Sequence, residues 1–428
     1  MSNVRFRLQP ARQFGMSMIE LLVGMAIGMI SMLIIFQVFS ASSAHTRTTS
    51  SAGDALISGA QAQYQLERDI RMAGMGFGLV PNSGKPGGLG GCAVQAHNVA
   101  LSAPDFSFPL ASVRILQGPD QIPVAPLGAP VQIAVMYGDS AYFVTSRQFN
   151  ASTGASKRLV RRDGFHLGDI VLVTSASTSA STLPACAAAL VEVTGFPAPD
   201  DSFSVLHQQG VQYVNFFTNA NATATMNATA GAATTVASTG FTYNLGPTPS
   251  RNLWQVVGPD PTHPQSNPNF LVSNDTLHSD TQVQAAAGIV NLQAEYGTDD
   301  GGGAAGAAAT PAAVAGDGII SPTEWSSAQP ADPTRVLAVR FAVLARSQQY
   351  EAPVLVGGVA TCQATTALPF WANDPGLTAR TINDGSGHKF TLFNVDGTTD
   401  SSPANANDWR CYRYRVYEAT VPLRNMLW

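Results

Sequence analysis

Residues Met16 to Phe39 form an apolar run of 24 residues that holds one charge, Glu20, on its fifth position. No other stretch limits the fold as strongly. A helix of that length, rising about 1.5 Å per residue, spans roughly 36 Å and can cross a bilayer with some tilt. The residues before it carry Arg5, Arg7 and Arg12 and no acid, a bias that keeps a short leader on the cytoplasmic side. A secretory signal has an apolar core of about 7 to 15 residues and then a small-residue cleavage site. Ala41-Ser42-Ser43-Ala44 could pass for such a site, but the core here is longer and contains an acid. An acid in a spanning helix costs on the order of 2.5 to 3.5 kcal/mol at the bilayer centre and less near its edge. Glu20 therefore predicts a cationic partner. Cleavage after Gly15 would create one, the new ammonium at Met16, four residues away.

Beyond Phe39 there is no proline until well past Met75, and Ala52, Leu56, Ala60 and Tyr64 recur every four residues before Leu66, Ile70 and Ala73. This periodicity predicts that the helix continues and lays one face on a head domain. Gly74, Gly76 and Gly78, followed by Pro81, supply its stop. Within the apolar run, Gly24 and Gly28 make a small-xxx-small pair that either lets helices approach closely or only loosens the helix.

From residue 79 onward the pattern changes to short β-branched runs bounded by Gly, Pro and Asp: Val131 to Tyr137, Asp169 to Thr174, Leu190 to Thr194 and Val336 to Leu344. In the last, Leu337, Val339, Phe341 and Val343 alternate onto one face, as a core-facing strand requires. Near the C-terminus, Tyr412, Tyr414 and Val416 share one face, and Arg413, Arg415 and Tyr417 the other. The arginine face reads either as a solvated surface or as a contact for another subunit. The fold class expected is α+β, a long N-terminal hydrophobic helix followed by a β-rich head. The divisions are a cleaved leader over 1–15, a helix over 16–78 with 16–39 in the membrane or filament core, and a head over 79–428. Insertions near 218–238 and 298–316 consist mostly of Ala, Thr, Asn and Gly and read as mobile surface loops.

Loss of the leader's three arginines from the 23 basic residues moves the formal net charge from −5 to −8, and no clustered basic footprint for nucleic acid stands out. Cys92, Cys186, Cys362 and Cys411 form an even set in a chain expected to face an oxidising compartment. Three connectivities are possible; pairing of sequence neighbours joins Cys92 to Cys186 and Cys362 to Cys411. The seven histidines are scattered without HExxH spacing, and there is no CxxC or GxSxG, so no enzyme chemistry is indicated. Asp317 to Glu324 matches the second half of a calcium loop, but Ala313 and Ala315 occupy ligand positions of the first half. Asp317 and Glu324 are calcium candidates only if Asp299 or Asp300 folds back across the glycine-alanine stretch; no other cofactor is suggested.

The leader, Gly15, and the run with Glu20 resemble the N-termini of type IV prepilins. Three further stretches resemble the PilW family of minor pilins: Arg68-Asp69-Ile70-Arg71-Met72-Ala73-Gly74, Gly288-Ile289-Val290-Asn291-Leu292-Gln293-Ala294-Glu295-Tyr296-Gly297, and Tyr412-Arg413-Tyr414-Arg415-Val416-Tyr417-Glu418 with Val421-Pro422-Leu423-Arg424-Asn425. The resemblance implies cleavage between Gly15 and Met16 by a prepilin peptidase and N-methylation of Met16, although pilins usually have phenylalanine there. It further implies a non-enzymatic role in a priming complex at the pilus tip, in adhesion and in twitching motility. The expected partners are other minor pilins, the major pilin, a tip adhesin and the inner-membrane assembly platform. The expected location is the bacterial inner membrane with the head in the periplasm, then the pilus. Two other readings share this N-terminus: a minor pseudopilin of a type II secretion system, and an adhesin displayed on a pilin stem.

Overall fold

The computed structural model describes residues 17–426 apart from 79–92, 121–128, 176–186, 208–238, 259–267, 300–315, 372–389, 397–404 and several stretches of one to three residues. Gly15, Met16, Cys92, Cys186, the insertion at 218–238 and most of that at 298–316 lie outside the described residues.

A single helix, α1 (Met18–Met72), carries both the apolar run and the amphipathic continuation. Ser17 caps it, its Oγ accepting from Ile19 N, which satisfies one of the backbone donors a helix start leaves open. The helix gives way to turns over 73–78, where Gly74 and Gly76 adopt φ of 78° and 89°. That left-handed backbone is nearly free only for glycine, and it aims Gly74 N at Met136 O, so the chain leaves the helix directly onto a strand.

Among the described residues three sheets and one isolated hairpin form the head. The largest runs in the order β2 (Asp105–Pro109), β1 (Ala93–His97), β8 (Ala187–Glu192), β7 (Ile170–Ser175), β10 (Gly240–Gly246), β5 (Arg147–Ser152), β6 (Ser156–Leu159) and β9 (Ser204–Leu206). Just past β8, Thr194 N donates to Leu206 O and Leu206 N to Gly195 O. β9 therefore joins β6 to the extension of β8, and six strands close into a small barrel. Phe149, Leu159, Val171, Val173, Val191 and Val205 fill its interior, while Ile170, Leu172, Leu190 and Tyr243 point the other way, onto Phe77 and Met136.

The second sheet is β13 (Val283–Ala287), β12 (Phe270–Asp275), β11 (Ser250–Val257), β4 (Gln132–Tyr137) and β3 (Val113–Leu116). The third is β15 (Trp325–Ser326), β14 (Ile289–Thr298), β16 (Val336–Arg346) and β19 (Tyr414–Pro422). An isolated hairpin, β17 (Val354–Val356) and β18 (Val359–Thr361), lies between β16 and β19 in sequence. The second and third sheets share one core with the C-terminal half of α1: Ala55, Ala62, Leu66 and Ile70 of the helix meet Ile133, Trp254, Leu292, Tyr296, Val339 and Phe341.

The β16 strand corrects the face expected for it. Val339, Phe341 and Val343 do face this core, but Val336 takes the place of Leu337. The register slips between Gly297 and Thr298, which oppose Ala338 and Val336 and leave Leu337 over. One extra residue in a strand reverses the alternation beyond it. The other face of β16 is buried as well, Ala342 and Leu344 lying under Trp371, Phe390 and Leu392.

Candidate assembly interface and the joint behind it

The stem is bare. From Met18 to Phe39 every side chain is exposed, Glu20 among them, and the stretch is long and apolar enough to cross a membrane. A Cβ added at Gly24 or Gly28 would meet nothing within 4 Å, so one face of the stem is open for close approach by another helix. Ser17 and Glu20 stand at the cap and third helical positions, a spacing in which the acid also lies within the positive end of the helix dipole.

Where the helix meets the head it is pinned by a buried acid. Asp69 is 1% exposed. Its Oδ2 accepts from Asn252 Nδ2 at 2.8 Å and Trp254 Nε1 at 2.9 Å, and its Oδ1 from the Tyr137 hydroxyl at 3.3 Å. Burial first, and then the charge of Asp69, push the Tyr137 hydroxyl up to about 12, so it stays a donor. A charged acceptor makes each of these bonds stronger than its neutral counterpart.

The rest of the joint comes from the chain's end. Tyr417 of β19 lies over Gly59, where any side chain would collide with the ring, and its hydroxyl donates to Leu56 O at 2.9 Å. Gln63 Nε2 donates to Glu418 O at 2.8 Å, occupying a carbonyl of this strand. Asn425 Nδ2 reaches Met72 O and Ala73 O, both at 3.1 Å, and so caps the helix C-terminus with a side chain from 353 residues away. The face of β19 that bears Tyr417 thus packs on α1. Of the arginines flanking it, Arg413 pairs with Glu351 and Arg415 is exposed. The opposite face, Tyr414 and Val416, packs on the cluster around Trp371.

Behind β14 a second ionic contact is sealed. Arg340 Nε donates to Glu295 Oε2 at 2.7 Å, and its guanidinium lies 4.6 Å from the Trp325 ring and 5.7 Å from that of Trp371. Cys362 and Cys411 form a buried disulfide, which ties the end of the β17–β18 hairpin to the start of β19.

Asp299 does fold back, but its carboxylate accepts from the amides of Gly316, Asp317 and Gly318. Asp317 Oδ1 accepts from Ile319 N, and the buried Glu324 accepts from Ser321 N and Oγ. These carboxylates close loops on themselves. Among the described residues no group of three or more His, Cys, Asp or Glu gathers as a metal cluster would.

Residues 10–36 match the family model of the prokaryotic N-terminal methylation motif, and residues 265–425 that of type IV pilus-assembly protein W, PilW. The chain carries a prepilin motif and a PilW segment. No curated protein and no solved structure matches it. The PilW segment holds β12 through β19, including Glu295, Arg340, Tyr417 and Asn425, whereas the closed barrel lies wholly outside it. The two matches support a part in type IV pilus assembly, with processing by a prepilin peptidase and contact with other pilus components. The stretches that resemble PilW in sequence meet at one place: Asp69, Tyr296 and Tyr417 all border the core shared by helix and sheets. Asp69 and Asn425 lie within the PilW-like stretches, but nothing there marks them as pin and cap; a polar residue on the apolar face of a helix is the local signal, and it points to Asp69.

Proposed function

We propose that this protein is a minor pilin that acts in the priming complex of a type IV pilus, at or near its tip. The observation that carries this reading is the combination of a bare apolar stem with a joint that locks the stem's continuation to the head through Asp69, Gly59 and Asn425. A subunit that must leave the bilayer and enter a helical filament needs an exchangeable stem and a head whose orientation the stem dictates. After cleavage behind Gly15, the ammonium at Met16 pairs with Glu20 of its own or a neighbouring subunit, which removes the penalty of an isolated acid in an apolar core. Gly24 and Gly28 let the neighbouring stems close in. The head then stays in the periplasm until assembly and serves pilus-dependent adhesion and twitching through the minor pilins, adhesin and platform it meets.

Counting surface pili on cells that lack the protein, with and without the intact gene restored, tests this. The reading expects loss of pili, restored on complementation, with type II export intact. Normal pili with failed export would transfer the protein to a secretion pseudopilus, and normal pili with lost surface binding would make it a displayed adhesin.

A further inference from the structure

The closed barrel, which lies outside the PilW segment, holds a pair of titratable groups that the assembly reading does not use. Lys157 on β6 and His207, one residue past β9, both face inward with Leu159 and Val205 and are 1% and 2% exposed. Lys157 Nζ donates to Thr153 O at 3.0 Å, lies 3.1 Å from His207 Nε2 and 5.9 Å from the centre of the Phe149 ring. His207 Nδ1 is buried without a hydrogen-bond partner.

Among the described residues no carboxylate compensates the amine, and Arg147, two residues before Phe149 on β5, adds a further cation and not a counter-charge. Of the charged groups on the elements around it, Arg158 lies on the opposite face of β6 and pairs with Asp201. Arg162 leans on Phe196 and Ser204 O. Glu192 follows Val191 on β8 and so points out of the barrel. Asp169, before β7, accepts from His166 N and Asn244 Nδ2. A buried cation without a counter-charge is expensive, and a hydrogen-bonded ion pair would have been the ordinary remedy.

The strand that seals this pair is short. β9 has three residues, held to β6 on one side and to Thr194 and Gly195 on the other. We propose that β9 is a proton-controlled latch: proton uptake by the Lys157–His207 pair releases β9 and opens the barrel, and proton loss closes it. Burial lowers Lys157 to about 7, and burial together with the Lys157 charge lowers His207 to about 3. Both groups bind protons more readily when freed. The closed form therefore loses ground as pH falls, from the ordinary lysine value down to about 7 for Lys157 and from about 6.5 to about 3 for His207.

The test is hydrogen exchange with mass-spectrometric readout on the full mature protein in detergent, with protection factors corrected for the intrinsic rate. From pH 8.5 to 7.0, peptides covering 156–159 and 203–207 should lose about tenfold in protection, while β14 and β16 stay constant. Lys157→Met should abolish that loss, and from pH 6.5 to 4.5 His207→Phe should abolish the second one. Unchanged protection of β9 in the wild-type protein would overturn the latch whether or not either variant folds. So would an equal loss in Lys157→Met.

Discussion

Replacing Asp69 by alanine removes an acceptor from three donors, the buried Trp254 and the half-buried Asn252 and Tyr137, without touching the stem, the cap or the disulfide. Two of the bonds are short, from Trp254 Nε1 and Asn252 Nδ2, and bonds to a charged acceptor are worth about 1.5 to 3 kcal/mol each. Trp254 is 3% exposed, so its indole N–H is left buried once its partner is gone. The expected loss is about 3 to 5 kcal/mol. Asp69→Asn keeps the shape and one acceptor oxygen for Trp254 and Asn252, and its amide can donate to the Tyr137 oxygen; the loss should be about 1 to 2 kcal/mol. Urea resistance of the mature protein in detergent, read by proteolytic cleavage between helix and head, gives the comparison. With a slope of about 2 kcal/mol per molar urea, the alanine variant should shift the midpoint by about 1.5 to 2.5 M and the asparagine variant by less than half as much. Equal shifts for the two, or an alanine midpoint within about 0.3 M of wild type, would refute the pin.

Gly59→Ala places a methyl group in the Tyr417 ring and should cost about 1 to 3 kcal/mol, the range for overpacking a filled core; added to Tyr417→Ala the same change should cost little relative to Tyr417→Ala alone, and an equal cost in both backgrounds would show that the ring is not the obstacle. β1 and β8 pair in parallel with Ala93 opposite Ala187, one residue after each of Cys92 and Cys186, so unreduced peptide mapping should find Cys92 linked to Cys186, and a link from either to Cys362 or Cys411 would contradict this. A bulky residue at Gly15 should leave the leader attached, whereas Glu20→Val should be cleaved normally yet enter sheared pili poorly; mature-length protein in the first, or wild-type incorporation of the second, would go against the roles given to these residues.

The stem was legible because its signals are strong and local: 24 apolar residues, one acid and three upstream arginines. The third sheet was partly legible for the same reason, since Val336 to Leu344 reads as a β-branched run with a core-facing alternation; the two register slips, at Thr298 and between Ile289 and Asn291, leave no such mark in the sequence. The neighbour pairing of Cys362 with Cys411 was also within reach, because 49 residues separate them. Of the barrel, the runs Asp169–Thr174 and Leu190–Thr194 were legible and overlap β7 and β8, but that it closes was not. Its closure depends on a three-residue strand and a bridge at Gly195 and Leu206, which leave no periodicity to find. The joint escaped for another reason. Asp69 meets Trp254 across 185 positions and Asn425 caps a helix that ends 353 residues earlier, and a single sequence carries no trace of such distances. The arginine face of β19 was read from alternation alone, which separates two faces but does not say that α1 lies on one of them.

Cleavage at the Gly15–Met16 bond followed by entry into the fibre is read in one step by mass spectrometry of pili sheared from cells expressing the intact gene, which should find a substoichiometric species whose N-terminus is Met16. Absence of the protein from purified pili, or its presence there with residues 1–15 still attached, would contradict it.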